Sequence, residues 1–316
     1  MGRVIHGLLR LCRPANLPTA MADIFAGAAI AGLGISDILE GPGLSQQGFS
    51  FLVLLLSSTV LYAGGVVLND VFDYKIDLVE RPERPIPQGM VSVELATVTG
   101  VLLLVFGIVL AFFVATTAGI VAAGLASAIL VYDGFTKKHD FLGPLTMGVC
   151  RALNLILGMA IWGQMDSWWF GIIPLLYIFA ITLISRGEVH GKNKSNIIKA
   201  AFIYAVVIFL VLISIALHKV EMESPGGEGF DSFSILDNWS MLLCLGLFGF
   251  LNMTSLIKAF RRNTPLNIKK AVITGVLSII VLDATFVMAF DTWMFGLIVL
   301  LLLPLSVVLS KIFAVT

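Results

Sequence analysis

Long apolar runs alternate with short polar connections along the whole chain. A helix needs about 20 mostly apolar residues to cross a bilayer. Ten runs meet that need, at 15–35, 50–70, 93–114, 117–132, 143–163, 168–185, 199–217, 239–258, 270–290 and 293–311. Ala115-Thr116 alone separates the third from the fourth, and Asp291-Thr292 the last two. The longest connection, 218–238, is acidic and Gly-rich and reads as a solvated loop. No connection is long enough for a soluble domain, so residues 1–316 read as one all-α polytopic membrane domain. Arg3, Arg10 and Arg13 ahead of the first run resemble the charged start of a signal peptide. The nine runs that follow make it a retained span instead.

The basic residues orient the bundle. With the N-terminus in the cytoplasm, 18 of the 20 Lys and Arg residues fall on cytoplasmic segments, all but Lys219 and Arg151. Lys219 lies on the opposite side and Arg151 inside a span. A wrong span count would invert the tally downstream, so this asymmetry supports both the count and cytoplasmic termini, in the plasma membrane. Apolar residues make up 58% of the chain and charged residues 13%, against about 45–50% and 25% for soluble domains. That excludes a soluble or disordered protein. The 20 basic residues balance 20 acidic ones, so no net charge points to nucleic acid. Cys12, Cys150 and Cys244 form no paired motif, and the four His have no metal-ligand spacing. No nucleotide-binding glycine pattern is present.

The chemistry concentrates at the end of the second span. There the chain reads Asn69-Asp70-Val71-Phe72-Asp73-Tyr74-Lys75-Ile76-Asp77. If the helix continues, 3.6 residues per turn place Asn69, Asp70, Asp73 and Asp77 within roughly a 100° arc. Acids at a helix C-terminus oppose its dipole and repel one another, so stability does not explain them. A bound divalent cation does. Mg²⁺ takes one or two carboxylates together with substrate phosphate oxygens. Next comes Arg81-Pro82-Glu83-Arg84-Pro85-Ile86-Pro87, in which three prolines stiffen a loop carrying two guanidinium forks suited to phosphate. Carboxylates for a metal and arginines for phosphate describe a diphosphate site.

On these residues, Asn69-Asp70-x-x-Asp73-x-x-x-Asp77 followed by Arg81-Pro-x-Arg84-Pro-Ile-Pro, the chain resembles the UbiA superfamily of intramembrane prenyltransferases. The resemblance implies a UbiA-like bundle of nine to ten transmembrane helices with its active-site mouth on the cytoplasmic side. Ten exceeds the family's usual nine, and the final pair contains the addition. It implies Mg²⁺ as cofactor, held by Asn69, Asp70, Asp73 and Asp77 against a prenyl diphosphate. Tyr132 with Lys137 and Lys138 is similar to the family's tyrosine–lysine landmark, with one extra residue in the spacing. Ser185–Gly191 and Arg151-x-x-Asn154 are similar to an EboC-like branch. The implied reaction is transfer of a polyprenyl group to an aromatic or other lipophilic acceptor in the membrane. Ionisation gives an allylic cation, and Arg81, Arg84, Lys137 and Lys138 neutralise the departing diphosphate.

The family's second acidic motif is degenerate. Between Asp166 and Glu221 the only acid is Glu188, so either one metal suffices, or Glu188 helps with His190 and Asn193, or Lys192 and Lys194 neutralise the diphosphate directly. Inside the spans, Arg151 lies about eight residues into its run, roughly 12 Å deep, with Asn154 on the same face. The pair is expected to touch diphosphate or acceptor. Asn16 is expected to face the site, whereas Asp23 and Asp283 read as buried packing residues. Phe72, Tyr74, Phe135, Trp162 and Trp168 read either as tunnel lining or as interfacial belt. Two other readings stand beside the enzyme. One is a non-catalytic protein of this fold that binds prenyl diphosphate, and the other a membrane transporter or lipid-handling protein.

Overall fold

The computed structural model describes residues 2–40, 43–188, 191–222 and 238–313. Almost every described residue is helical. Among the described residues nine helices are long and apolar enough to cross a membrane. The run expected at 15–35 is the exception. Its helix, α2, spans only Leu17–Ile30, after a short α1 (Gly2–Leu11) and a 3-10 turn at Pro14–Asn16. Fourteen residues rise about 21 Å, short of a hydrocarbon core of about 30 Å. Pro14 and Pro18 delay its start, and Gly32, at φ 86°, ends it.

After α2 comes a single turn, α3 (Ile35–Ile38), and a two-stranded antiparallel hairpin pairing β1 (Leu39–Glu40) with β2 (Gly43–Leu44). The Ser45 hydroxyl then accepts from Gly48 N and caps α4 (Gln46–Phe72). Helix α4 stops at Asp73, and α5 (Tyr74–Glu80) takes up the rest of the acidic motif. Then follow α6 (Val93–Val114), α7 (Thr116–Val131), α8 (Leu142–Met159) and α9 (Ile172–Ser185). The chain continues with α10 (Lys194–Met222), α11 (Trp239–Arg261) and α12 (Pro265–Phe290). The last span is divided at Leu301 into α13 (Trp293–Leu300) and α14 (Leu302–Phe313). Pro304 cannot donate to the carbonyl four residues back, which accounts for the break.

Neighbouring helices pack in chain order, α4 on α6, α6 on α7, and on to α11 on α12. Helix α12 returns to α2, which also packs on α4 and α8. Helix α2 is therefore central, and its short apolar residues are nearly all buried. A Cβ on Gly27 would sit 2.2 Å from the Leu155 carbonyl oxygen, so α2 and α8 meet backbone to backbone there. Gly64 allows close packing against α6: a Cβ there would lie 2.9 Å from the Gly100 carbonyl oxygen. The outer faces carry exposed Leu, Val and Phe, such as Leu102, Phe113 and Phe202. In water that would be a fault; against lipid tails it is the expected surface.

Candidate functional site

The end of α4 brings Asn69 and Asp70 to one mouth of the bundle. Asp70 is buried, and its Oδ1 accepts from Arg13 Nη2 at 2.5 Å and from Arg84 Nη1 at 3.1 Å. Arg84 Nη1 also donates to Asp77 Oδ2 at 2.5 Å. Two of the expected metal ligands are thus held by one guanidinium. Arg84 is aimed there by its loop: Ile86 is buried with Leu11, Val67, Val91 and Ala96, and Gly89 turns the chain at φ 67°. Arg13 arrives from the other side on a left-handed backbone, φ 46° and ψ 63°. For a residue with a Cβ that conformation costs about 1–2 kcal/mol, which the ion pair to Asp70 offsets. Burial pulls the Arg13 pKa down most strongly of any one cause, but the charge and hydrogen bond of Asp70 together with the charges of Tyr62 and Asp77 outweigh it and raise the pKa. Burial pushes the Asp77 carboxyl up, against the pull of Arg84.

The facing wall is the end of α7. Residues Tyr132–Thr136 form a π-turn, in which Lys137 N donates to the Tyr132 carbonyl. This wider turn absorbs the extra residue between Tyr132 and Lys137. It brings Lys137 Nζ to 2.5 Å from Asp73 Oδ1, and Asp133 Oδ1 to 2.5 Å from Asn69 Nδ2. Asp133 is buried, and with Arg13 it is a part of this mouth that the sequence motifs did not single out.

A cavity of about 460 Å³ runs inward from these residues. Arg13, Asn16, Asn69, Tyr132 and Asp133 line its polar part. Its walls are aliphatic, from Leu125 and Ile129 on α7, Ile178 and Ile181 on α9, and Val272, Val276 and Ile279 on α12. Asp70, Asp73 and Asp77 lie outside its lining. So do the five aromatics read as tunnel or belt. Phe135, Trp162 and Trp168 are exposed, and Phe72 lies under Lys137 Nζ, 5.9 Å from the ring centroid.

Arg151 and Asn154 also line the cavity and join α8 to α2, α4 and α12. Arg151 Nε lies 2.7 Å from Asp23 Oδ2, and its Nη atoms reach Thr19 Oγ1 at 3.3 Å and the Thr19 carbonyl. Asp283 Oδ2 is 4.0 Å from Arg151 Nη2. Asn154 donates to Asp23 Oδ2 at 2.7 Å and accepts from Ser58 at 2.7 Å. Asp23 and Asp283 are buried as expected, and they belong to the same network as Arg151 rather than to separate packing sites.

The degenerate motif is spread out. Lys138 and Lys192 are exposed, and Lys194 Nζ lies 5.2 Å from the Phe260 ring centroid. Arg186 ties the end of α9 to Asp140 and to the His139 carbonyl. Asn193 donates to carbonyls of Leu183 and Ile184, which holds the loop to α9. Glu188 is half-buried; burial raises its pKa, opposed by the charges of Lys269 and of Arg81 from the proline loop. His190 lies outside the described residues.

Among the described residues no three His, Cys, Asp or Glu side chains converge as a preformed metal cage. The chemistry of the donors nevertheless suits a hard cation. Asn69 uses only its Nδ2, which leaves its carbonyl oxygen open, and Asp73 and Asp133 each use one oxygen.

A membrane-spanning helical bundle with an apolar exterior, an aliphatic cavity and a mouth of paired carboxylates and basic groups defines an integral multi-pass membrane protein. Residues 20–218 match the UbiA prenyltransferase family, and the chain belongs to it. It is 38% identical over 156 residues to the digeranylgeranylglyceryl phosphate synthase of Saccharolobus solfataricus, covering 48% of this chain and 55% of that one. The chain thus spans about half the length of that relative. The enzyme of the same name from Methanothermobacter thermautotrophicus is 28% identical over 247 residues, 76% of this chain and 82% of that one. The fold superimposes on a solved digeranylgeranylglyceryl phosphate synthase with TM-score 0.64 and 18% identity, covering 92% and 99% of the two chains. It also superimposes on a UbiA homolog from Archaeoglobus fulgidus bound to GPP and Mg²⁺, with TM-score 0.62 and 14% identity, covering 89% and 99%.

Proposed function

We propose that this protein transfers a prenyl group from a prenyl diphosphate to a hydroxyl of a glyceryl phosphate lipid. The observation that carries the reading is the cavity. Its aliphatic walls on α7, α9 and α12 suit an isoprenoid chain, and its mouth gathers Arg13, Asn69 and Asp133 beside Arg84 and Lys137. The names of the two sequence relatives favour a glyceryl phosphate over the aromatic acceptor expected from the motifs. In the reaction the allylic C–O bond breaks and its electron pair leaves with the diphosphate. The acceptor oxygen attacks the carbocation and then loses its proton. Arg13, Arg84 and Lys137 hold the diphosphate and stabilise charge as it builds on the leaving group. Aliphatic walls keep water from the cation.

Asn69, Asp73 and Asp133 would hold Mg²⁺, while Asp70 and Asp77 fix Arg84. The metal would supply further neutralisation of the diphosphate charge. The mouth and both chain ends face the cytoplasm, on the strength of the basic asymmetry; α2 then crosses as a short tenth span, its start meeting Ser306 of α14. The test uses protein in nanodiscs with Mg²⁺, labelled geranylgeranyl diphosphate, and glyceryl phosphate lipids or phenols as acceptors. Labelled ether lipid from the glyceryl phosphates supports the reading. Transfer to phenols alone, or binding with no transfer to any acceptor, overturns it.

A further inference from the structure

Helix α1 lies outside the bundle proper, and the transfer reaction does not use it. At 3.6 residues per turn, Leu11, Val4, Leu8, Ile5 and Leu9 form one arc of about 160°, with His6, Arg10 and Arg3 opposite. The protein covers only one edge of that arc. Gly7 and Leu11 are buried and Leu8 half-buried, in a cluster with Val67, Tyr74, Ile86 and Val91. Val4, Ile5 and Leu9 remain 36%, 53% and 45% exposed. The packed edge and the open edge are continuous, so the described residues cover only part of one apolar face.

Packing places that face. Leu8 and Leu11 of α1 share a cluster with Val67 near the end of α4 and Tyr74 at the start of α5, so both short helices sit at the same mouth. Helix α5 likewise leaves Ile76, Leu78 and Val79 exposed, Val79 at 83%. Two short helices beside one mouth expose apolar side chains where the lipid headgroups begin. An apolar strip backed by arginines is the pattern of a helix lying in a membrane interface.

We propose that α1 lies in the plane of the bilayer surface, with Ile5 and Leu9 inserted among lipid and Arg3 and Arg10 turned to the headgroups. Its far end leads within two residues to Arg13, so the lipid-anchored helix sets the guanidinium on Asp70. Helix α1 thereby works as a positioning element, coupling the bilayer surface to the mouth.

The test places a photo-crosslinking amino acid singly at Ile5, Leu9, His6 and Arg3 in the full chain, in nanodiscs of phosphatidylcholine and phosphatidylglycerol. Adducts to lipid acyl chains are expected at positions 5 and 9 and not at 3 and 6. Adducts absent at 5 and 9, or equal at all four, overturn the placement. The readout needs no activity, so it stands or falls apart from the transfer reading. The coupling rests on that reading: Ile5→Asp with Leu9→Asp is expected to raise the donor KM about tenfold at unchanged kcat and unchanged melting temperature. Ile5→Val with Leu9→Val should behave as the parent. An unchanged donor KM in the aspartate variant, in a parent that turns over, overturns the coupling.

Discussion

The side-chain amide of Asn69 donates to Asp133 Oδ1 across 2.5 Å, joining the end of α4 to the π-turn after α7. The contact closes one side of the cavity mouth and leaves one oxygen of each residue for a ligand. Asp133→Ala is expected to lower Mg²⁺-dependent turnover by about tenfold or more, about 1.4 kcal/mol in the barrier. Initial rates against Mg²⁺ concentration check this, and an unchanged metal response removes Asp133 from the site.

Among the lysines, position decides the effect. Lys137 meets Asp73 in the mouth, whereas Lys192 is exposed and Lys194 sits by Phe260. Lys137→Ala is expected to raise the donor KM about tenfold. Lys192→Ala with Lys194→Ala should stay within about twofold of the parent, because exposed charges are screened by water and salt. Saturation curves for the donor on the two variants give the comparison; the reverse ranking would move the diphosphate toward the loop after α9.

Arg151 is a matter of stability. Its removal leaves Asp23 and Asp283 buried without their cation, a change that costs about 3–5 kcal/mol. Arg151→Ala should unfold well below the parent temperature in the same detergent. Arg151→Met combined with Asp23→Asn and Asp283→Asn should regain much of the loss, since no uncompensated carboxylate remains. A parental melting temperature for Arg151→Ala would show that the network carries no such load.

Glu188 gives a pH signature. Its folded pKa lies above the ordinary value because burial disfavours its charge. The folded state is therefore favoured while Glu188 is protonated, and that contribution is lost as pH rises through the ordinary glutamate range near 4.3 and the raised folded value. Glu188→Gln is expected to melt higher than the parent at neutral pH and to match it in acid. Melting curves at several pH values decide, and a variant that melts lower at neutral pH reverses the sign.

The spans and the acidic motif were legible because each is local. Apolar runs declare membrane helices, and Asn69, Asp70, Asp73 and Asp77 lie within nine residues of one another. Arg13 was hidden because its charge served equally well as a topology signal; only its left-handed backbone turns it toward Asp70. Asp133 had a signal, an acid at the end of an apolar run, but its neighbours Tyr132 and Lys137 drew the reading. Asp23 and Asn154 are 131 residues apart, so no spacing rule joins them. The short α2 could have been read from Pro14, Pro18, Gly32 and Gly34, which punctuate a run that hydropathy alone treats as continuous.

Helix α14 packs against α2 and the Pro14–Asn16 turn, where Ser306 donates to the Ala15 carbonyl, 291 residues away in sequence. Synthesis runs from the other end, and segments made first must wait for those made last. While the ribosome is still at work, the nascent chain already carries Asn69, Asp70, Arg84 and Asp133, yet the strained turn beside Arg13 lacks its clasp. The mouth is thus assembled early in composition and late in shape, since the final helix supplies the last contact to the turn that follows Arg13.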